Sequence, residues 1–599
     1  MTHQLQHRGP DDEGIETIHT AGGEVVVFGF RRLSIIDLSP AGHQPMYDPV
    51  TGNWLIFNGE IYNYRELRAE LNGLGETDWR SQSDTEVILK AYRRFGDACV
   101  ERLSGMFAFA LWDAKRQRML LVRDRLGIKP LYYTRLNQST LIFASELRAL
   151  LASGFVSPDP CLEAVDSYLE LGAVQEPLTI VQGVQSVAPG SIITADANGQ
   201  TERRYWEIGL PTYRENVTEL GAVARVHELL QAAVKRHLIS DVPVGVLLSG
   251  GLDSSALVAL SRSAGQKHVR TISVVFDEPE YSEEAYSRLI AKIFQTEHTE
   301  VRLSPGRLLE EVEPALAAAD QPTVDGINTF IVTKAARRVG LKVVLSGLGG
   351  DEIFAGYPTF RWGRRLKQFQ QLNPLIRRPL AEAAGWIMAR NDGWAKLAGW
   401  LSGPAEGYPY FVMRQLFGAA DRRALTGLNT NGRHGVVDRI HNDNDSVNEI
   451  TRFELSYYMR NMLLRDSDTM SMAHGVELRV PLLDDALVEY VMNLPGHFKL
   501  AHGQLKPLLA KAIAGELPPL IGSRAKLGFT LPFQSWLHGS LGKEVEDVLL
   551  DPGIGGRLKS HLSMSAIEQV WRRFRHGAGH WSRPWALYSL KKWADLYMV

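Results

Sequence analysis

Cysteine is nearly absent from this chain: its 599 residues include only Cys99 and Cys161. Two thiols support neither a disulfide framework nor a zinc site. An excess of one charge is lacking too. The formal net charge is −2, which gives no electrostatic case for nucleic acid or an anionic membrane. No apolar run is long enough to span a bilayer. The first residues, Met1 to Asp12, are too polar for a secretory signal. Internal repeats and low-complexity tracts are also missing. What remains is 45% hydrophobic and 22% charged, an ordinary globular composition with room for about two to four domains. The cytoplasm is the expected location, with no nucleic-acid or membrane partner.

The densest chemical signal is Ser249-Gly250-Gly251-Leu252-Asp253-Ser254-Ser255. It follows an apolar run ending at Leu248 that reads as a buried strand, and it leads into a helix-like run. Strand, glycine-rich turn and helix N-terminus together make an anion site, because the backbone can approach closely and free N–H groups face the ligand. Asp253 would repel phosphate unless a cation lay between them, so the string suggests Mg²⁺. It lacks the Gly-Lys-Ser/Thr of the Walker loop, so transfer of a γ-phosphate is not the natural expectation.

Before it, residues 1 to about 205 are rich in short β patterns: Glu24 to Phe30, Asn53 to Phe57, Met106 to Trp112, Arg118 to Val122 and Thr140 to Ala144. Ser83 and Glu86 have the spacing of a capping box for a helix running to about Phe95. This half reads as a layered α+β domain. Residues 206–220 read as a linker, and 221–599 as a second domain. There, strands at Arg270–Phe276, His298–Leu303 and Lys342–Ser346 alternate with helices at Ser282–Phe294, Pro305–Ala319 and Asn328–Val339. That alternation predicts a doubly wound parallel sheet with ligands at its carboxyl edge. A second glycine-dense stretch, Ser346-Gly347-Leu348-Gly349-Gly350-Asp351, offers Asp351 as a second carboxylate for Mg²⁺. From about residue 360 the chain reads as mostly helical.

The Ser249–Ser255 string resembles the PP-loop of ATP pyrophosphatases, which release pyrophosphate and form an acyl-adenylate. Five strings in the first half resemble the glutaminase domain of class II glutamine amidotransferases, an Ntn-hydrolase-like αββα fold. They are His7-Arg8-Gly9-Pro10-Asp11, Arg32 to Asp37, Asn58 to Asn63, Ser83 to Glu86 and Ser104 to Phe109. The resemblance implies that Arg32 pairs with the glutamine α-carboxylate and that Asp84 and Glu60 hold its α-amine. It makes the Asn58 side chain and the Gly59 N–H an oxyanion hole. That family attacks glutamine with an N-terminal cysteine, and none precedes Cys99 here. The expectation is a start codon placed inside the real protein. A clipped domain using free ammonia, or a replacement nucleophile at Thr2, are the alternatives.

The string from Arg465 to Asp484 matches the asparagine synthetase family in nearly every position, and both halves together resemble its bacterial glutamine-hydrolysing B type. The resemblance implies ATP bound by Leu248, Ser249, Gly250, Gly251, Asp253, Ser254, Ser255, Val274, Ser346 and Gly347. Asp253 and Asp351 would hold Mg²⁺. Lys526, in Arg524-Ala525-Lys526-Leu527-Gly528-Phe529, would be a catalytic lysine on the α-phosphate. Asp468, Glu477 and Arg479 would buttress the cleft, with His474 a packed histidine. The implied substrates are glutamine or ammonia, and aspartate or another carboxylate; the expected assembly is a homodimer. Many asparagine synthetases carry an acidic residue where this chain has Leu348, so a sugar acid, a β-lactam precursor or a lasso peptide is the alternative acceptor. A catalytically dead scaffold is the reading from another class.

Overall fold

The computed structural model describes residues 1–20, 22–209, 217–276, 283–370, 373, 379, 409–429, 445–501, 504–522 and 531–599. The first domain is built on a six-stranded antiparallel sheet. Its centre is the pair Asn53–Ile61 and Gly105–Asp113, flanked by Arg118–Arg123. Alternation along the strand sorts residues to two faces. Phe107, Phe109 and Leu111 pack with Leu67, Leu71, Val87 and Ile88 of the helices Tyr64–Gly73 and Asp84–Phe95. Ala108, Ala110 and Trp112 face a layer of short strands through Phe28, Leu131 and Tyr133.

Ser83 caps its helix as the sequence predicts, its Oγ accepting from the Thr85 N–H at 3.1 Å. Glu86 does not close the box. The Ser83 N–H is taken by Ser81 Oγ, and the Glu86 carboxylate accepts from the Arg80 and Ser81 N–H groups instead.

The second domain holds a five-stranded sheet, parallel throughout. Its order is Glu297–Leu303, Arg270–Phe276, Val244–Leu247, Val343–Leu345, Glu477–Arg479. The order reverses direction between Val244–Leu247 and Val343–Leu345. That reversal opens a crevice at the carboxyl ends of these two neighbours, where ligands of doubly wound sheets bind. Both glycine-dense loops emerge there. The helix expected over Pro305–Ala319 is two helices, Pro305–Glu310 and Val312–Ala318. Pro314 sits in the first turn of the second, where a missing N–H costs least.

The C-terminal region is helical and shares one apolar core with the first domain. Leu147, Val165, Tyr168 and Leu169 pack in the same cluster as Phe533, Trp585, Leu587 and Trp593. The Tyr168 hydroxyl donates to the Ala586 carbonyl at 2.8 Å. No helix among the described residues is long and apolar enough to cross a membrane.

His237 ends the helix Glu219–His237 between the domains. It is 2% exposed, and burial lowers its pKa to about 4. An unfolded histidine takes a proton near pH 6.5. Between those values the unfolded chain binds the extra proton, so stability falls as pH falls. Replacing His237 with leucine is expected to flatten this part of the stability–pH curve. Thermal melts of both proteins from pH 7 to pH 4.5 check it; parallel curves would contradict it.

Candidate active site

The strand Asn53–Ile61 carries the first group of expected residues. Gly59 has φ +143°, and a Cβ there would lie 2.0 Å from the Met106 carbonyl oxygen, so no side chain fits. The Asn58 Nδ2 is buried without a hydrogen-bond partner. A buried amide donor left without an acceptor is costly unless a ligand supplies one. Arg32 is gripped by backbone carbonyls: Nη2 donates to Ile36 at 3.2 Å and Asp37 at 2.6 Å, and Nη1 to Ser39 at 3.3 Å. Asp84 is 5% exposed, and its Oδ2 accepts from the Ile61 N–H at 3.0 Å. Burial pushes its carboxyl up to about 6. Glu60 behaves differently. Its Oε2 accepts from Arg479 of the second domain at 2.6 Å, while its Oε1 is buried without a partner.

The two cysteines lie apart from this chemistry. Cys99 and Cys161 are both buried, and burial pushes the Cys99 thiol well up. Neither is an activated nucleophile.

A cavity of about 710 Å³ opens at the carboxyl edge of the parallel sheet. Leu248, Ser249, Gly251, Asp253 and Ser254 line it from one side. Ser346, Gly347 and Asp351 line it from the next loop, with Val274 at the end of its strand. Gly250 and Ser255 shape the loop rather than its surface. Gly250 has φ +77°, and a Cβ there would meet the Ser287 nitrogen at 2.7 Å. Ser255 is fully buried, its Oγ without a hydrogen-bond partner. Around the turn, Ser249 Oγ accepts from the Gly251 N–H at 3.2 Å, and Ser254 Oγ accepts from the Ser249 N–H at 3.2 Å. The loops meet through glycine: a Cβ on Gly347 would be 2.8 Å from that of Asp253, and one on Gly350 would be 2.4 Å from Asp253 Oδ1.

Between the loops sits a residue the sequence reading missed. The Lys506 Nζ pairs with both Asp253 Oδ2 and Asp351 Oδ1, the latter at 2.8 Å. Burial pulls its pKa down, but the two carboxylates outweigh burial and raise it. Lys506 has φ +47° and precedes the helix Pro507–Ala512. A cation at a helix N-terminus opposes the dipole. That contradiction, Lys-Pro at a helix start, was the one available signal. Two carboxylates that share one ammonium are close enough to share a divalent cation, so Asp253 and Asp351 fit Mg²⁺ with phosphate oxygens completing its shell. Lys526 lies outside the described residues.

The far end of the cavity is aromatic. Over Glu454–Leu464 the helix widens to i→i+5 turns, and Tyr457, Tyr458 and Met462 of that segment line the cavity. The Arg414 guanidinium lies 3.8 Å from the Tyr458 ring centre and 4.8 Å from that of Tyr357, and pairs with Glu454 at 2.6 Å. Leu348 faces the same space, as do Asp325, Tyr410 and Trp581. The lining also includes Leu171, Gly172, Ala173 and Gln175 of the first domain.

Of the residues expected to buttress the cleft, Asp468 and Arg479 bind across the domains, while Glu477 holds Arg479 on their shared strand. Asp468 accepts from Arg8 at 2.7 Å and from Lys129 at 3.0 Å. Against the pull of burial, these two cations hold its carboxyl below the usual range. His474 packs on Phe330, ring centres 4.3 Å apart, and burial lowers its pKa to about 4.

Comparison with known proteins finds two family profiles in the chain. The profile of the glutamine amidotransferase domain matches residues 1–206, and that of asparagine synthase matches residues 225–595. Asparagine synthetase 1 (glutamine-hydrolyzing) of Bacillus subtilis is 34% identical over 92% of this chain and 86% of its own length. A putative asparagine synthetase of Mycobacterium tuberculosis is 31% identical over 100% of this chain and 93% of its own. Amidase chry2 of Gibberella zeae is 28% identical over 91% of this chain and 86% of its own. With an antiparallel-sheet amidotransferase domain ahead of a parallel-sheet α/β domain and a helical C-terminal region, this chain belongs to the asparagine synthase family.

Proposed function

We propose that this chain forms an amide from a carboxylate and ammonia, using ATP to make an acyl-adenylate and releasing AMP and pyrophosphate. Aspartate is the acceptor, and glutamine or free ammonia supplies the nitrogen. The observation that carries this reading is the convergence of Asp253, Asp351 and Lys506 between two glycine loops at the sheet's crevice. The N-terminus of the helix Leu252–Ser263 and the Ser249 and Ser254 hydroxyls supply donors for phosphate oxygens. Leu248 and Val274 seat the base. Lys506 neutralises charge that grows on the α-phosphate as the acceptor oxygen attacks. Mg²⁺ held by Asp253 and Asp351 would stabilise the departing pyrophosphate. Asn58 and Gly59 would serve as the oxyanion donors of glutamine hydrolysis, a role supported by the partnerless Asn58 Nδ2, and first-domain residues are part of the cavity lining on the side from which ammonia would come.

Two charges favour aspartate. Arg414 and Asp325 both line the cavity; beyond its pair with Glu454, Arg414 keeps a buried Nε without a hydrogen-bond partner that suits an α-carboxylate, and Asp325 suits an α-ammonium. The test is AMP and pyrophosphate release with Mg-ATP, ammonia and aspartate. ADP as the product would reject the adenylate chemistry, and no aspartate-dependent pyrophosphate would reject the acceptor.

A second reading, amide formation on a larger carboxylate, is favoured by the wall of Leu348, Tyr357, Tyr410, Tyr458 and Trp581. Aromatic faces bind extended apolar or ring-bearing ligands better than a small zwitterion. The similarity to amidase chry2, a relative not named for asparagine formation, supports it.

A further inference from the structure

Arg479 touches both halves of the chemistry at once. It is fully buried. Its Nη2 donates to Glu60 Oε2 at 2.6 Å, on the strand that carries Asn58 and Gly59. Its Nη1 donates to the His237 and Ile239 carbonyls, each at 2.7 Å, and its Nε to Glu477 at 2.8 Å. Its own carbonyl accepts from the Ser346 N–H at 2.9 Å, where the second glycine loop leaves the sheet. It also pairs with Leu345 in the parallel ladder. A planar guanidinium with partners on three sides has little freedom to shift. Moving the Ser346 loop therefore strains the hold on Glu60, and moving Glu60 strains the loop.

We propose that Arg479 is a positioning residue that fixes the glutamine strand and the second ATP loop in one arrangement, so that glutamine and nucleotide each tighten the binding of the other. The inference rests on the functional reading above, in which Glu60 meets the glutamine α-amine and Ser346–Gly347 meet ATP. The buried, partnerless Glu60 Oε1 is the group left for that amine. A ligand that draws Glu60 or the Ser346 loop into its bound position carries the other with it through Arg479, so the second ligand meets a site already set. Linkage requires the two effects to be equal.

The test is calorimetric titration of the full chain with glutamine, with and without saturating Mg²⁺ and α,β-methylene-ATP, and the reverse titration. The parent is expected to bind glutamine at least about fivefold tighter with the analogue present, and the analogue tighter by the same factor with glutamine present. Arg479→Lys is expected to reduce that ratio below about twofold while still binding the analogue. Glu60→Gln keeps an oxygen for Arg479 and removes the charge; its ratio is expected to fall too, whatever its glutamine affinity. It decides the matter if the lysine variant does not fold. A purely structural Arg479 would weaken folding and leave the ratio intact. Both ligands binding with no coupling in the parent, or an unchanged ratio in the variants, would overturn the inference. Failure of the parent to bind either ligand would instead overturn the functional reading, and the inference with it.

Discussion

Lys506→Met is expected to lower ATP–pyrophosphate exchange by about 10²- to 10³-fold, the usual loss when one preorganised donor to developing charge is removed. The argument is geometric. Lys506 reaches the carboxylates of both glycine loops, so in the proposed reading its ammonium lies beside the phosphates. Its removal also leaves two partly buried like charges side by side, so the loss should lie below that of a fully buried pair. Removing one partner of a buried ion pair costs about 3–5 kcal/mol. The variant should therefore melt lower without metal and recover part of the loss in Mg²⁺, which can replace the missing charge between Asp253 and Asp351. The two effects separate the roles. Exchange that stays low in saturating Mg²⁺, in a protein whose melting temperature has recovered, assigns Lys506 to the phosphates. Exchange restored along with the melting temperature would make Lys506 only a counter-ion for the carboxylates, and parental exchange without added metal would remove it from the mechanism.

Leu348→Glu should accelerate asparagine formation if aspartate is the acceptor. The ammonia that attacks the adenylate must lose a proton, and leucine cannot take it. General-base help is worth roughly 10²- to 10⁴-fold. Leu348 lines the cavity while packing on the core beneath it, so a carboxylate at this position would lie beside the reacting space. Pyrophosphate release should change little, because adenylation precedes the attack. With a larger acceptor the leucine packs against it, and the new carboxylate would be buried against an apolar group. Amide formation would then fall with the acceptor's KM rising. Rapid-quench assays of adenylate formation and amide formation, in both proteins, separate the cases. Strong aspartate turnover in the parent that drops in the variant would refute this account of the leucine while leaving the acceptor in place.

The elements that the sequence disclosed are those whose cause is local. The strand Arg270–Phe276 is where its β-branched run places it, and both glycine loops follow strands as their composition requires. The strand Glu477–Arg479 was hidden. It has three residues, two of them charged, and its charges are satisfied by partners far along the chain: Glu60, His237 and Ile239. Periodicity cannot report such partners. Lys506 was hidden for the same reason, since its two carboxylates lie on loops distant in sequence. The strand Asn53–Ile61 shows both cases. Gly59 was legible through the Asn58–Asn63 string that carries the family resemblance, and the structure adds that no Cβ fits there, but the turn of Glu60 towards the second domain was not legible.

The apolar cluster shared by Tyr168, Leu169, Trp585 and Trp593 bears on how the gene can be divided. Neither half carries a complete core of its own at this seam. Severing the chain in the linker would remove a covalent link but none of that burial, so the fragments should stay together through purification. Made separately, each would present a wide greasy face and tend to aggregate. Made together, they should find each other. Complementation by two co-expressed fragments is thus a more promising way to study one half than expressing that half alone.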